Sequence, residues 1–69
     1  MKLSARNVLP GRIVDIVQGP VSTQVTLEIA PAVRLVSTIT TESAQSLSLS
    51  KGSQAYGVIK ASSVMIGTD

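Results

Sequence analysis

The chain has 69 residues, six Lys or Arg against four Asp or Glu, no Cys, no His and one aromatic, Tyr56. That length fits one small domain over residues 1–69, and the missing side chains exclude disulfides and argue against a zinc or calcium site. The excess of two positive charges, without a Lys/Arg cluster, is not the footprint of a nucleic-acid binder.

Hydrophobic alternation predicts the elements in order. Residues 10–17 read as a first strand, with Ile13, Asp15 and Val17 on one face and Val14 and Ile16 on the other. Gln18-Gly19-Pro20 is a turn signal. Residues 21–29 alternate more cleanly, Val21, Thr23, Val25, Leu27 and Ile29 against Ser22, Gln24, Thr26 and Glu28. Ala30-Pro31-Ala32 is expected to make a Pro-led type I turn, which needs no positive φ. Residues 33–40 form a third strand. One or two helical turns follow within residues 41–49, with Thr40 or Thr41 as N-cap and Glu42 in the first turn. After a turn at Lys51-Gly52-Ser53, residues 54–60 give a fourth strand and residues 64–66 a short fifth.

This order, three strands, a helix and two strands, predicts an all-β fold: a small five-stranded OB-like Greek-key barrel with one short helix. An SH3-like barrel and an open meander are the alternatives. Val, Ile and Thr make up 21 of the 69 residues, which fits a pleated surface. With 43% hydrophobic and 14% charged residues, the chain is not disordered. A chain of this size buries only about 60% of its surface alone, and nothing in it serves as a staple. Association with further copies is therefore the expected source of stability.

Catalysis is nearly excluded, since the usual general base and soft nucleophile are missing and the four acids (Asp15, Glu28, Glu42, Asp69) are scattered. No apolar run approaches membrane-spanning length. The N-terminus lacks the apolar stretch of a signal peptide, and with the absence of Cys this points to the cytoplasm.

Three polar segments stand out: Ser4-Ala5-Arg6-Asn7, Thr40-Thr41-Glu42-Ser43 and Lys60-Ala61-Ser62-Ser63. Taken as ordinary elements they are a polar terminus, an N-cap and a polar turn. Taken together they supply hydroxyls, backbone N–H groups and two cations, all of them able to donate, in a chain where 16 residues are Ser or Thr. Such a set suits a tetrahedral oxyanion. A site built from them without a carboxylate to accept a proton favours dianions such as molybdate, tungstate or sulfate over protonated phosphate.

Those segments, with Leu9-Pro10-Gly11-Arg12-Ile13-Val14, Ile39-Thr40-Thr41-Glu42-Ser43 and Val58-Ile59-Lys60-Ala61-Ser62-Ser63-Val64-Met65, resemble the molbindin (Mop) family of small cytoplasmic molybdate-binding proteins. The resemblance spans essentially the whole chain. It implies an OB-like fold, a hexamer built as a trimer of dimers, and molybdate or tungstate held at subunit interfaces. It nominates Ser4, Ala5, Arg6, Thr40, Ser43, Lys60, Ala61 and Ser62 as ligands, the two alanines through backbone N–H, and Gly19 or Val21 for a second class of interface site. No further cofactor, metal, nucleic acid or membrane partner is implied.

No helix-turn-helix or nucleotide-binding segment accompanies the domain, so storage, homeostasis or delivery of the anion is the expected role. The alternatives are an OB-type nucleic-acid-binding module and an oligomerisation module of a larger regulator. Against the first, OB-type binding of single strands uses stacked aromatics, and here only Tyr56 is available.

Overall fold

The computed structural model describes residues 1–69. Its elements are β1 (Asn7–Gln18), β2 (Ser22–Ala30), β3 (Val33–Thr40), α1 (Thr41–Ser46), β4 (Gln54–Ile59) and a 3₁₀ turn (Ala61–Ser63). All four strands pair antiparallel in one sheet of order β3-β2-β1-β4. Because β4 returns to lie beside β1, the order is a Greek key, not a meander.

The sheet is strongly curled. Leu35 on one edge strand reaches across the interior to Gly57 on the other: a Cβ added at Gly57 would lie 2.6 Å from Leu35 Cδ2. The absent side chain at position 57 is what lets the two edges approach as a half-barrel.

The core is small. Ile13, Val25 and Leu27 are buried, and Ile16, Ile29, Leu35, Ile39, Leu49 and Ala55 pack against them. The alternation expected for β2, β3 and β4 holds for these residues. In β1 it breaks: Ile13 pairs with Leu27 and Asp15 with Thr26, so Val14 is an extra, bulged residue. The bulge shifts the face by one residue. Ile16 thereby joins Ile13 in the core while Asp15 and Val17 turn outward, which corrects the face assignment made from strict alternation.

Thr40 is the N-cap of α1, its Oγ1 accepting from the Ser43 N–H at 3.1 Å. The helix ends in a Schellman pattern, with Leu49 N–H donating to Ala44 O at 3.1 Å and Ser48 N–H to Gln45 O at 3.0 Å. That geometry requires a left-handed residue, and here it is Ser48, with φ 53.

Two further expectations change. Ala32 has φ 62, so the β2–β3 turn does use the left-handed region. The barrel has four strands within one chain, not five. Residues 64–66 pair with no strand, Met65 and Ile66 being 92% and 89% exposed. A three-residue strand forms few ladder bonds, and the space it would occupy lies open between the β3 and β4 edges.

That opening is a groove of about 780 Å³ lined mainly by apolar residues, among them Leu35, Ile39, Leu49, Tyr56 and Val64. The chain exposes 5481 Å², where a closed globule of this mass exposes roughly 4,100 Å². No helix is long and apolar enough to cross a membrane.

Candidate oxyanion site

The nominated residues fall into two clusters at opposite ends of β1. At its N-terminal end Asn7 pairs with Ile59, the last residue of β4. From that point Ser4-Ala5-Arg6 and Lys60-Ala61-Ser62 leave the sheet side by side. They line one depression, with Val58 as an apolar wall. Register alone brings these segments together: they are more than fifty residues apart in the chain.

The depression presents two cations, Arg6 and Lys60, and two hydroxyls, Ser4 and Ser62. No carboxylate lines it. Within the 3₁₀ turn, Ser63 N–H donates to Lys60 O at 2.8 Å and Val64 N–H to Ala61 O at 3.3 Å. The N–H groups of Ala61 and Ser62 come first in the turn and have no carbonyl behind them within it. Alanine at positions 5 and 61 leaves the main chain approachable. All of these residues are exposed except Ala5, which is half-buried.

Thr40 and Ser43 lie elsewhere. Thr40 pairs with Ser22 at the far end of the sheet, beside the Gly19-Pro20-Val21 turn. Between the two clusters run the 12 residues of β1, each advancing about 3.3 Å. A tetrahedral anion, only a few bond lengths across, does not reach both in one chain. Within one chain the nominated residues therefore form two groups, Ser4, Ala5, Arg6, Lys60, Ala61 and Ser62 in one and Thr40 and Ser43 in the other, an arrangement open to ligands held at subunit interfaces. Gly19 and Val21 belong with the second.

The second cluster is tightly tied. Thr41 Oγ1 donates to Gly19 O at 2.7 Å, and Thr41 N–H to Val21 O at 2.8 Å. With its one hydroxyl proton given to Gly19, Thr41 Oγ1 accepts from Thr23 Oγ1, 2.7 Å away. Thr23 and Thr41 are both buried. Thr40 Oγ1 donates to Ser43 Oγ at 2.7 Å, which leaves the Ser43 hydroxyl proton free to point outward. Thr41, one of the two N-cap candidates in the sequence, is instead the first residue of α1, and its buried links to Gly19 and Thr23 were not foreseen.

The four acids form no cluster with a third ligand-type residue. Glu28, itself half-buried, pairs with the exposed Arg34, Nε to Oε2 at 3.7 Å. The large groove between the sheet edges is apolar, the wrong chemistry for an oxyanion.

A curled Greek-key sheet with open edges and a cationic, carboxylate-free depression at one end defines a small OB-like ligand-binding module. The TOBE domain family matches residues 3–66. The probable molybdenum-pterin-binding protein of Haemophilus influenzae is 42% identical over 69 residues, the full length of both chains. The molybdenum transport protein ModE of Herbaspirillum seropedicae is 51% identical, but the chain spans only 26% of it. Among solved structures, MopII from Clostridium pasteurianum superposes with a TM-score of 0.90 at 36% identity, covering 97% of this chain and 100% of that one. The cytoplasmic molybdate-binding protein ModG, with molybdate bound, gives 0.83 at 39% identity, over 88% of this chain and 43% of that one. The chain belongs to the TOBE domain family, in its molbindin (Mop) branch. These relatives are named as binding and transport proteins, not as enzymes.

Proposed function

We propose that residues 1–69 act as one Mop domain that binds molybdate or tungstate without catalysis and serves its storage and homeostasis in the cytoplasm. The observation that carries this reading is the union of Ser4-Ala5-Arg6 with Lys60-Ala61-Ser62 in one depression free of carboxylates. Arg6 and Lys60 supply the charge, Ser4 and Ser62 the hydroxyl donors, and Ala5 and Ala61 backbone N–H groups. A dianion offers acceptors to every one of them. A protonated phosphate brings a donor that finds no carboxylate to receive it.

In this reading the site is completed by a neighbouring copy, which contributes Thr40 and Ser43, with Gly19 or Val21 in a second class of site. The assembly is a hexamer, a trimer of dimers. Its support in the chain is the excess exposed surface, about 1,400 Å² above that of a closed globule. A standard interface takes about 800 Å² from each partner. The open β3 and β4 edges, the apolar groove between them and residues 64–66 are the surfaces for association to cover.

The test is calorimetric titration of the purified protein with molybdate, tungstate, phosphate and a short single-stranded oligonucleotide. Heat with molybdate and tungstate, far weaker binding of phosphate and none of the oligonucleotide is the expected result. Equal affinity for phosphate refutes the argument from the missing carboxylate, and tight oligonucleotide binding favours the nucleic-acid module instead.

A further inference from the structure

One residue of the first polar segment has no place in the ligand set. Asn7 follows Arg6 directly and is half-buried. Its Nδ2 donates to the carbonyl of Ile59 at 3.3 Å, and Ile59 precedes Lys60 directly. Asn7 and Ile59 are also the last residue pair of the β1–β4 ladder on this side. Beyond them the two limbs of the depression have no main-chain pairing with each other. The Asn7 side chain thus ties the limbs together where they separate, with Arg6 as the next residue on one limb and Lys60 on the other.

Resting on the oxyanion reading above, we propose that Asn7 is a positioning residue that sets the spacing between the Ser4–Arg6 and Lys60–Ser62 limbs, and through it the size of anion the site prefers. Asn7 touches no ligand in this account. A site of fixed width discriminates between a small tetrahedral dianion, sulfate, and a larger one, molybdate, because donors held for one are misplaced for the other. Without the tie the limbs adjust to either anion and the preference shrinks.

The experiment titrates the parent protein, Asn7→Leu and Gly11→Ala with molybdate and with sulfate, after sedimentation has shown the same assembly for all three. Asn7→Leu keeps the approximate size of the side chain and removes the donor. Gly11→Ala strains β1 without touching the tie, so it reports what lost stability alone does to binding. The molybdate-to-sulfate affinity ratio is expected to fall about fivefold in Asn7→Leu, the equivalent of one neutral hydrogen bond of ~1 kcal/mol, and to stay at the parent value in Gly11→Ala.

An unchanged ratio in Asn7→Leu overturns the proposal, as does an equal fall in Gly11→Ala. If Asn7→Leu does not assemble, Asn7→Ser, too short to span to Ile59, replaces it. Failure of both to fold makes Asn7 a scaffold residue and also overturns the proposal. Absence of molybdate binding by the parent protein defeats the proposed function itself, an outcome separate from any change in ratio.

Discussion

Gly11→Ala tests the close approach of β1 and β2 on which the half-barrel depends. A Cβ placed on Gly11 would lie 2.6 Å from Glu28 O and 2.9 Å from Leu27 Cγ. The first is a main-chain atom of the neighbouring strand and cannot rotate away. The second belongs to a buried core side chain. Relief therefore requires β1 to move off β2 by several tenths of an ångström beside the centre of the core. Overpacking of this kind costs about 1–3 kcal/mol, and in a domain of this size each kcal/mol lowers Tm by about 4–8 °C. Thermal melts at matched protein concentration are the assay, with Gly67→Ala as control because nothing lies within 4 Å of its added methyl. Gly11→Ala is expected to melt several degrees lower and Gly67→Ala with the parent. If Gly11→Ala melts within about 1 °C of the parent, less than the smallest cost expected, the strands are not packed this closely and the reasoning fails.

Other outcomes follow from the same geometry. Ser48→Gly relieves a left-handed residue at the helix end and is expected to stabilise by about 0.5–1 kcal/mol, after the entropy glycine adds to the unfolded chain; an unchanged or lower Tm contradicts the Schellman assignment. Thr41→Val removes a buried hydroxyl that links Thr23 to Gly19 and is expected to cost about 1–3 kcal/mol. Thr41→Ser should restore most of it, and a melt of Thr41→Val equal to the parent would show that the link contributes nothing. Because a small core leaves folding coupled to association, tenfold dilution should lower Tm; a concentration-independent melt of a 7.1 kDa species in sedimentation would contradict the oligomeric reading.

How far the sequence carried is clearest strand by strand. The third strand was legible over residues 33–40 because Val33, Leu35 and Ile39 fall on one face, a turn precedes it and a helix N-cap closes it. The helix start was legible because Thr40 and Glu42 are an N-cap and a first-turn acid. The bulge at Val14 was not, since an extra valine among valines and isoleucines leaves no mark in composition. Nor were the left-handed residues Ala32 and Ser48, because neither is the glycine or asparagine that signals that conformation. Residues 64–66 have strand chemistry, yet they pair with neither of the two open edges of the sheet. At the site, the residue types were legible as three donor segments. Their division into two clusters was not, because it depends on Asn7 pairing with Ile59 at one end of β1 and Ser22 with Thr40 near the other. No local pattern encodes that register.

The most direct test of the central claim compares Lys60→Ala with Lys51→Ala, each confirmed to keep the parent assembly, by titration with molybdate. Lys60 lines the carboxylate-free depression, whereas Lys51 sits exposed in the turn before β4 and lines neither the depression nor the apolar groove. A charged hydrogen bond is worth about 1.5–3 kcal/mol, so Lys60→Ala is expected to weaken binding about 10–150-fold, with Lys51→Ala close to the parent. Equal affinity of the two variants would contradict the claim that this depression is the anion site.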